Sequence, residues 1–178
     1  MISCTEFASW LYPVTEGATT VWERWNSYEA AFSEPNQNSM NSFNHFALGA
    51  VGQWMFEYQL GITAPYAEGE AGYKHFVLQP TTGGAYTALE GSYDSHYGRI
   101  RSAWTAERGA IHTYRCTVPA NTTATLYLPV GSAAVSGNSV EGARFAGTCT
   151  HLGRPAVRYE LVAGTWTFAL DGGTVSVR

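Results

Sequence analysis

The chain has 178 residues, 45% of them hydrophobic, 14% aromatic and only 13% charged, which supplies one real core and excludes a disordered tail. Apolar runs are interrupted every few residues, so no stretch of about 20 can span a bilayer as a helix, and the start MISCTEFASW shows no secretion signal, slightly favouring the cytoplasm. The net charge of −4 divides into −7 through residue 70, where Arg24 is the one base, and +3 beyond it; the later arginines are scattered among apolar residues, not clustered as phosphate binding requires, so nucleic acid is not an expected partner.

The first informative segment is Gly17-Ala18-Thr19-Thr20-Val21-Trp22-Glu23-Arg24-Trp25-Asn26-Ser27. A carboxylate with tryptophans on either side suits a sugar site, because indole faces offer flat apolar platforms to pyranose C–H groups. Apolar walls around a carboxyl also suit it to proton transfer near neutrality. The alternative is that Trp22 and Trp25 are core residues and Glu23 pairs with Arg24 or solvent.

From Ser42 to Leu60 the period is helical. Phe43, Phe46, Ala47, Ala50, Val51, Trp54, Met55 and Tyr58 follow the i, i+3, i+4, i+7 rule. Asn41 or Ser42 is the expected N-cap, and Gly61 with Pro65 beyond it the expected stop. The opposite face carries His45, Leu48, Gly49, Gly52 and Phe56, with no lysine, arginine or aspartate between 41 and 60. A helix apolar or small on both sides is expected to be buried on both, so its helical partners are expected to lie outside this chain. His45, in the first turn and off the main apolar stripe, is a candidate to exchange hydrogen bonds with a substrate hydroxyl or water; a packing histidine is the alternative.

From residue 72 the period becomes two. Residues 73–79, 85–93, 96–106, 110–118, 123–129, 155–162 and 165–170 read as strands, separated by Gly83-Gly84, Glu107-Arg108-Gly109, Pro119-Ala120-Asn121 and Asp171-Gly172-Gly173 turns. Residues 131–147 are small and polar, a hairpin or loop. Seven or eight short strands with no helix between them suggest an antiparallel sandwich. Cys4, Cys116 and Cys149 lack disulfide or zinc spacing, and His75, His96, His112 and His151 lack metal-ligand spacing. No G-x-S-x-G elbow or phosphate loop occurs. Asn121-Thr122-Thr123 fits a glycosylation sequon and is taken as a strand-start turn. No cofactor or metal is expected.

The segments GATTVWERWNS and SFNHFALGAVGQWMFEYQLGI closely resemble the end of the catalytic domain of bacterial α-L-rhamnosidases. GYKHFVLQP, GSYDSHYGRIRSAW and CTVPANTTATLYLP resemble the β-sandwich that follows it, and only about 130–155 and the last residues are indistinct. The resemblance implies an α+β chain: the last helices of an (α/α)6 barrel over 1–68, then an antiparallel β-sandwich of jelly-roll or Greek-key type over 69–178. It further implies removal of terminal α-L-rhamnose from glycosides or oligosaccharides with inversion. Glu23 would be the general base and His45 a residue of the sugar subsite, with Trp22 and Trp25 flanking the base and shaping that subsite.

An inverting hydrolase needs two carboxyl groups, roughly 6.5–9.5 Å apart. The acid of the resembling enzymes lies earlier in the barrel, and no motif recommends Glu16, Glu29 or Glu34. The chain is therefore expected to be a C-terminal fragment, inactive alone, whose partner is the N-terminal part of the barrel. Two other readings are a carbohydrate-binding sandwich using Trp104, Tyr97 or Tyr114, and a subunit completing a barrel supplied by a separate polypeptide.

Overall fold

A computed structural model describes residues 2–32, 40–65, 71–131, 135–171 and 173–178. Two compact units divide the chain, Met1–Gln53 and Trp54–Arg178.

The first unit is short helices joined by irregular chain. Pro13 opens α1 (Tyr12–Thr15), where its missing N–H costs nothing; α2 is Ser27–Phe32. The long helix expected from Ser42 begins later, as a 3-10 turn at Ala47–Ala50, continuing as α3 (Val51–Trp54) and a π turn at Met55–Leu60. The reason is competition for the backbone. Ser42 O accepts the Glu23 N–H at 2.9 Å, and the His45 N–H donates to Val21 O at 2.8 Å. Residues 42–45 spend these groups on the 21–23 segment, not on an i→i−4 ladder. Neither expected N-cap caps the helix: Asn41 bonds Ser27, and the Ser42 hydroxyl accepts from the Asn44 N–H. Burial on both faces is also not met within the chain, for Phe43, Phe46, Trp54 and Phe56 are exposed and no residue of 47–54 is buried.

The helix ends where the sequence expects, with Gly61 at φ 76°, a left-handed cap that glycine adopts without strain. Its last carbonyls, which no helix can satisfy internally, are taken by the strand domain. Glu57 O accepts from Gln79 Nε2 at 3.1 Å, and Tyr58 O from the Thr81 N–H and hydroxyl at 3.0 and 2.9 Å. Gln59 O accepts from Trp104 Nε1 at 2.8 Å, and Leu60 O from the buried Ser102 hydroxyl at 2.6 Å. The ladder itself ends in π geometry, with the Gly61 N–H on Phe56 O.

The strands are β1 (Ile62–Thr63), β2 (His75–Leu78), β3 (Ala88–Ser95), β4 (Gly98–Glu107), β5 (Ala110–Pro129), β6 (Ser136–Gly137), β7 (Ala143–His151), β8 (Arg154–Asp171) and β9 (Thr174–Val177). β1 lies ahead of residue 69, where the resemblance would start the sandwich. Two pairs of expected strands are single long ones, β5 and β8, each continuing through an irregularity: Asn121 at φ 61° in β5, Gly164 at φ 158° in β8. Residues 113–118 of β5 pair with 164–169 of β8, and 123–129 with 156–162.

Along its other edge β5 meets β4 and then β2, while β8 meets β9 and then β7. One layer is thus β3-β4-β5-β8-β9-β6 and the other β1-β2-β5-β8-β7, sharing two bent strands. Tyr114 and Phe168 of the first layer and Phe76, Leu126 and Tyr159 of the second are fully buried, and the Tyr159 and Phe168 rings lie 4.9 Å apart. The β2–β5 and β6–β9 pairings are parallel, so the sandwich is mixed; alternation fixes which face a residue takes and says nothing of strand direction. β7 emerges from the stretch expected as hairpin or loop and turns into β8 through Leu152 and Gly153, at φ 48° and 74°. Residues 132–134 and Gly172 of the expected turns lie outside the described residues.

Candidate active site

The candidate residues of the first unit gather around two facing stretches, 20–23 and 42–45. The Glu23 N–H to Ser42 O and His45 N–H to Val21 O bonds run in opposite directions between them, and the Thr20 hydroxyl adds a bond to Phe43 O. The Ser42 N–H donates to Glu23 Oε2 at 2.7 Å. Glu23 is partly exposed, and Oε1 has no partner among the described residues. One carboxylate oxygen is therefore fixed by the backbone. Arg24 does not pair with it: Nη2 of Arg24 donates to Met40 O at 2.8 Å.

His45, half-buried, precedes the helix instead of lying in its first turn. Its Nδ1 accepts the Ala47 N–H at 3.2 Å, and its ring stacks on Phe46 at 5.6 Å. With Nδ1 accepting, Nε2 is the ring nitrogen left to act as donor.

The two tryptophans differ in kind. Trp22 is 5% exposed, stacked on Tyr28 at 6.1 Å and edge-on to Phe43 at 5.6 Å; it is a packing residue next to Glu23 in the chain. Trp25 is half-buried and meets Trp10 edge to face at 5.0 Å. Trp10, whose Nε1 donates to Leu48 O at 2.8 Å, was not signalled by any motif; a lone tryptophan near a chain start has no periodic context. The Ser27–Asn41 pair also escapes the sequence, because a cap pattern and a long-range bond look alike there.

No second carboxyl is recommended by this geometry. Glu29 accepts from the Tyr12 hydroxyl at 3.3 Å, and Glu34 lies outside the described residues. Among the described residues no cluster of histidine, cysteine and acidic side chains suits a metal ion, and no helix is long and apolar enough to cross a membrane. In the strand domain, Trp104 is 3% exposed and Tyr114 is fully buried, so neither offers a ring face to sugar; Lys74 Nζ lies 5.2 Å over the Tyr97 ring. A cavity of about 360 Å³, lined in part by Ile111, Leu170, Arg154 and Asp171, contains none of the predicted site residues.

The family model described as bacterial alpha-L-rhamnosidase 6 hairpin glycosidase domain matches residues 1–59, and that described as bacterial alpha-L-rhamnosidase C-terminal domain matches residues 61–143. The chain belongs to the bacterial α-L-rhamnosidase family. An alpha-L-rhamnosidase of Streptomyces avermitilis is 41% identical over 125 residues, 69% of this chain and 11% of that protein. One of Formosa agariphila is 40% identical over 123 residues, 69% of this chain and 13% of that protein. The crystal structure of the Streptomyces avermitilis rhamnosidase complexed with L-rhamnose superposes with a TM-score of 0.69 at 30% identity, covering 96% of this chain and 15% of that one. The chain thus spans little more than a tenth of the curated rhamnosidases it matches.

Proposed function

We propose that this chain is the base-bearing end of an α-L-rhamnosidase that removes terminal α-L-rhamnose from glycosides with inversion. The observation that carries this reading is the Glu23 carboxylate, one oxygen held by the Ser42 N–H and the other without a partner among the described residues, in the segment that matches the six-hairpin glycosidase domain. Glu23 Oε1 takes a proton from water as the water oxygen bonds to C1. The bond from C1 to the glycosidic oxygen breaks, and a carboxylic acid protonates that leaving oxygen. The acid comes from helical hairpins other than those of this chain, which are also its expected partner. His45 Nε2–H donates to a rhamnose hydroxyl, Trp25 walls the subsite, and Trp22 flanks Glu23 in the chain. The helical part is taken as 1–68 and the sandwich as 69–178; the two family matches, meeting near residue 60, support a division in this region.

Replacing Glu23 with Gln keeps the bond from Ser42 and removes the base. In the complete polypeptide, release of p-nitrophenol from p-nitrophenyl α-L-rhamnoside should fall by about 10²–10⁴-fold. A rate within twofold of the parent contradicts the assignment. Proton NMR of the first-formed sugar reads the stereochemistry: β-L-rhamnose is expected, and α-L-rhamnose would exclude inversion.

A further inference from the structure

We infer that Ser27 and Asn41 are positioning residues for the base, acting through the Ser42 amide; this rests on the reading of Glu23 above. Ser27 is fully buried, and its hydroxyl lies 2.8 Å from Asn41 Oδ1 while Asn41 Nδ2 donates to Ser27 O at 2.9 Å. The pair is reciprocal, so each side chain fixes the other's orientation. On its own side, Ser27 Oγ accepts the Arg24 N–H at 3.0 Å, and the Ser27 N–H reaches Arg24 O at 3.3 Å. The 24–27 turn, one residue beyond Glu23, is thereby locked to residue 41, one residue before Ser42. A third tie, Arg24 Nη2 to Met40 O at 2.8 Å, lies on the same strap.

The consequence is geometric. Glu23 and Ser42 meet through two bonds, N–H to O at 2.9 Å and N–H to Oε2 at 2.7 Å, and both chain stretches are irregular, tied on one side of this contact by the His45 N–H to Val21 O and the Thr20 hydroxyl to Phe43 O. The Ser27–Asn41 clamp holds the register on the other side, from the residues adjacent to Glu23 and Ser42. Without it the Ser42 N–H loses its support on that side, and the direction of Oε1 is less narrowly fixed. A positioned base loses rate steeply with displacements of about 1 Å, while binding of the sugar through other residues is spared.

The test is steady-state kinetics with p-nitrophenyl α-L-rhamnoside on the complete rhamnosidase polypeptide carrying this segment. Asn41→Ala and Ser27→Ala should each lower kcat by about 10- to 100-fold with KM within twofold, and Ser27→Thr, which keeps the hydroxyl, should restore most of the rate. In a Glu23→Gln background Asn41→Ala should cost nothing further, because the group it positions is gone. An unchanged kcat in Asn41→Ala, a rise in KM alone, or a full additional loss in the Glu23→Gln background overturns the clamp. Parental activity in Glu23→Gln itself overturns the base assignment instead, so the two failures are distinct. If Asn41→Ala does not fold, Asn41→Asp, which keeps the Oδ1 acceptor and loses the Nδ2 donor, is read by the same criteria.

Discussion

At the residue scale, burial sets the chemistry of several groups. Cys116 is fully buried, and its thiol is pushed far above the ordinary range by desolvation, while Cys4 is exposed. A thiol reagent at pH 8 should label Cys4 in the native chain and reach Cys116 only on unfolding; equal rates would contradict this packing. Tyr159 is pushed up to about 12 by burial, and Tyr114 is raised for the same reason. The folded state holds these phenols protonated, so their contribution to stability is whole below the unfolded value near 10 and is lost as pH rises toward about 12. Urea midpoints of the sandwich should fall across that window. His151, stacked on Tyr127 at 3.9 Å, is lowered by desolvation. Its contribution is complete above about 6.5 and is lost as pH falls below it. The role proposed for Glu23 is one the sequence suggests at this scale, a carboxylate between two tryptophans. The bond between Asn41 and Ser27 is not legible there, because the partners are 14 residues apart and no local pattern records it.

At the element scale, the end of the helix belongs to the strands. Ser102→Ala leaves Leu60 O without its buried donor and should destabilise the unit 54–178 by about 1–3 kcal/mol, read by urea unfolding. Gly61→Ala should cost more, about 3 kcal/mol or above, because a Cβ there meets Pro80 N at 2.2 Å and the Gln79 carbonyl carbon at 2.3 Å on top of the positive φ. Gly83→Ala, with open space around it, serves as the control and should shift the midpoint little. The stop at Gly61 could be read from the sequence, since glycine after an apolar helix has one common use. The start could not, because residues 42–45 keep the helical period of their side chains while their backbone pairs with 21–23. The same holds for β5 and β8: Pro119-Ala120-Asn121 carries the chemistry of a turn, and tertiary pairing makes of it a bend inside one strand.

At the scale of the whole molecule, the two units differ in how they meet water. The unit 54–178 has a continuous core from Leu60 to Val177. The first unit leaves Phe7, Val14, Met40 and Phe46 exposed, Met40 and Phe46 by more than four-fifths, as an incomplete helical domain would. This agrees with a chain matching 11% of the length of a complete rhamnosidase. The most direct measurement is p-nitrophenol release from p-nitrophenyl α-L-rhamnoside by the purified chain, alone and mixed with the helical hairpins proposed as its partner, each with and without the Glu23→Gln substitution. The expected result is silence from the chain alone, release from the mixture, and loss of that release in Glu23→Gln. Turnover by the chain alone, or release from the mixture undiminished by Glu23→Gln, would contradict the assignment of Glu23 as a base whose acid partner comes from elsewhere.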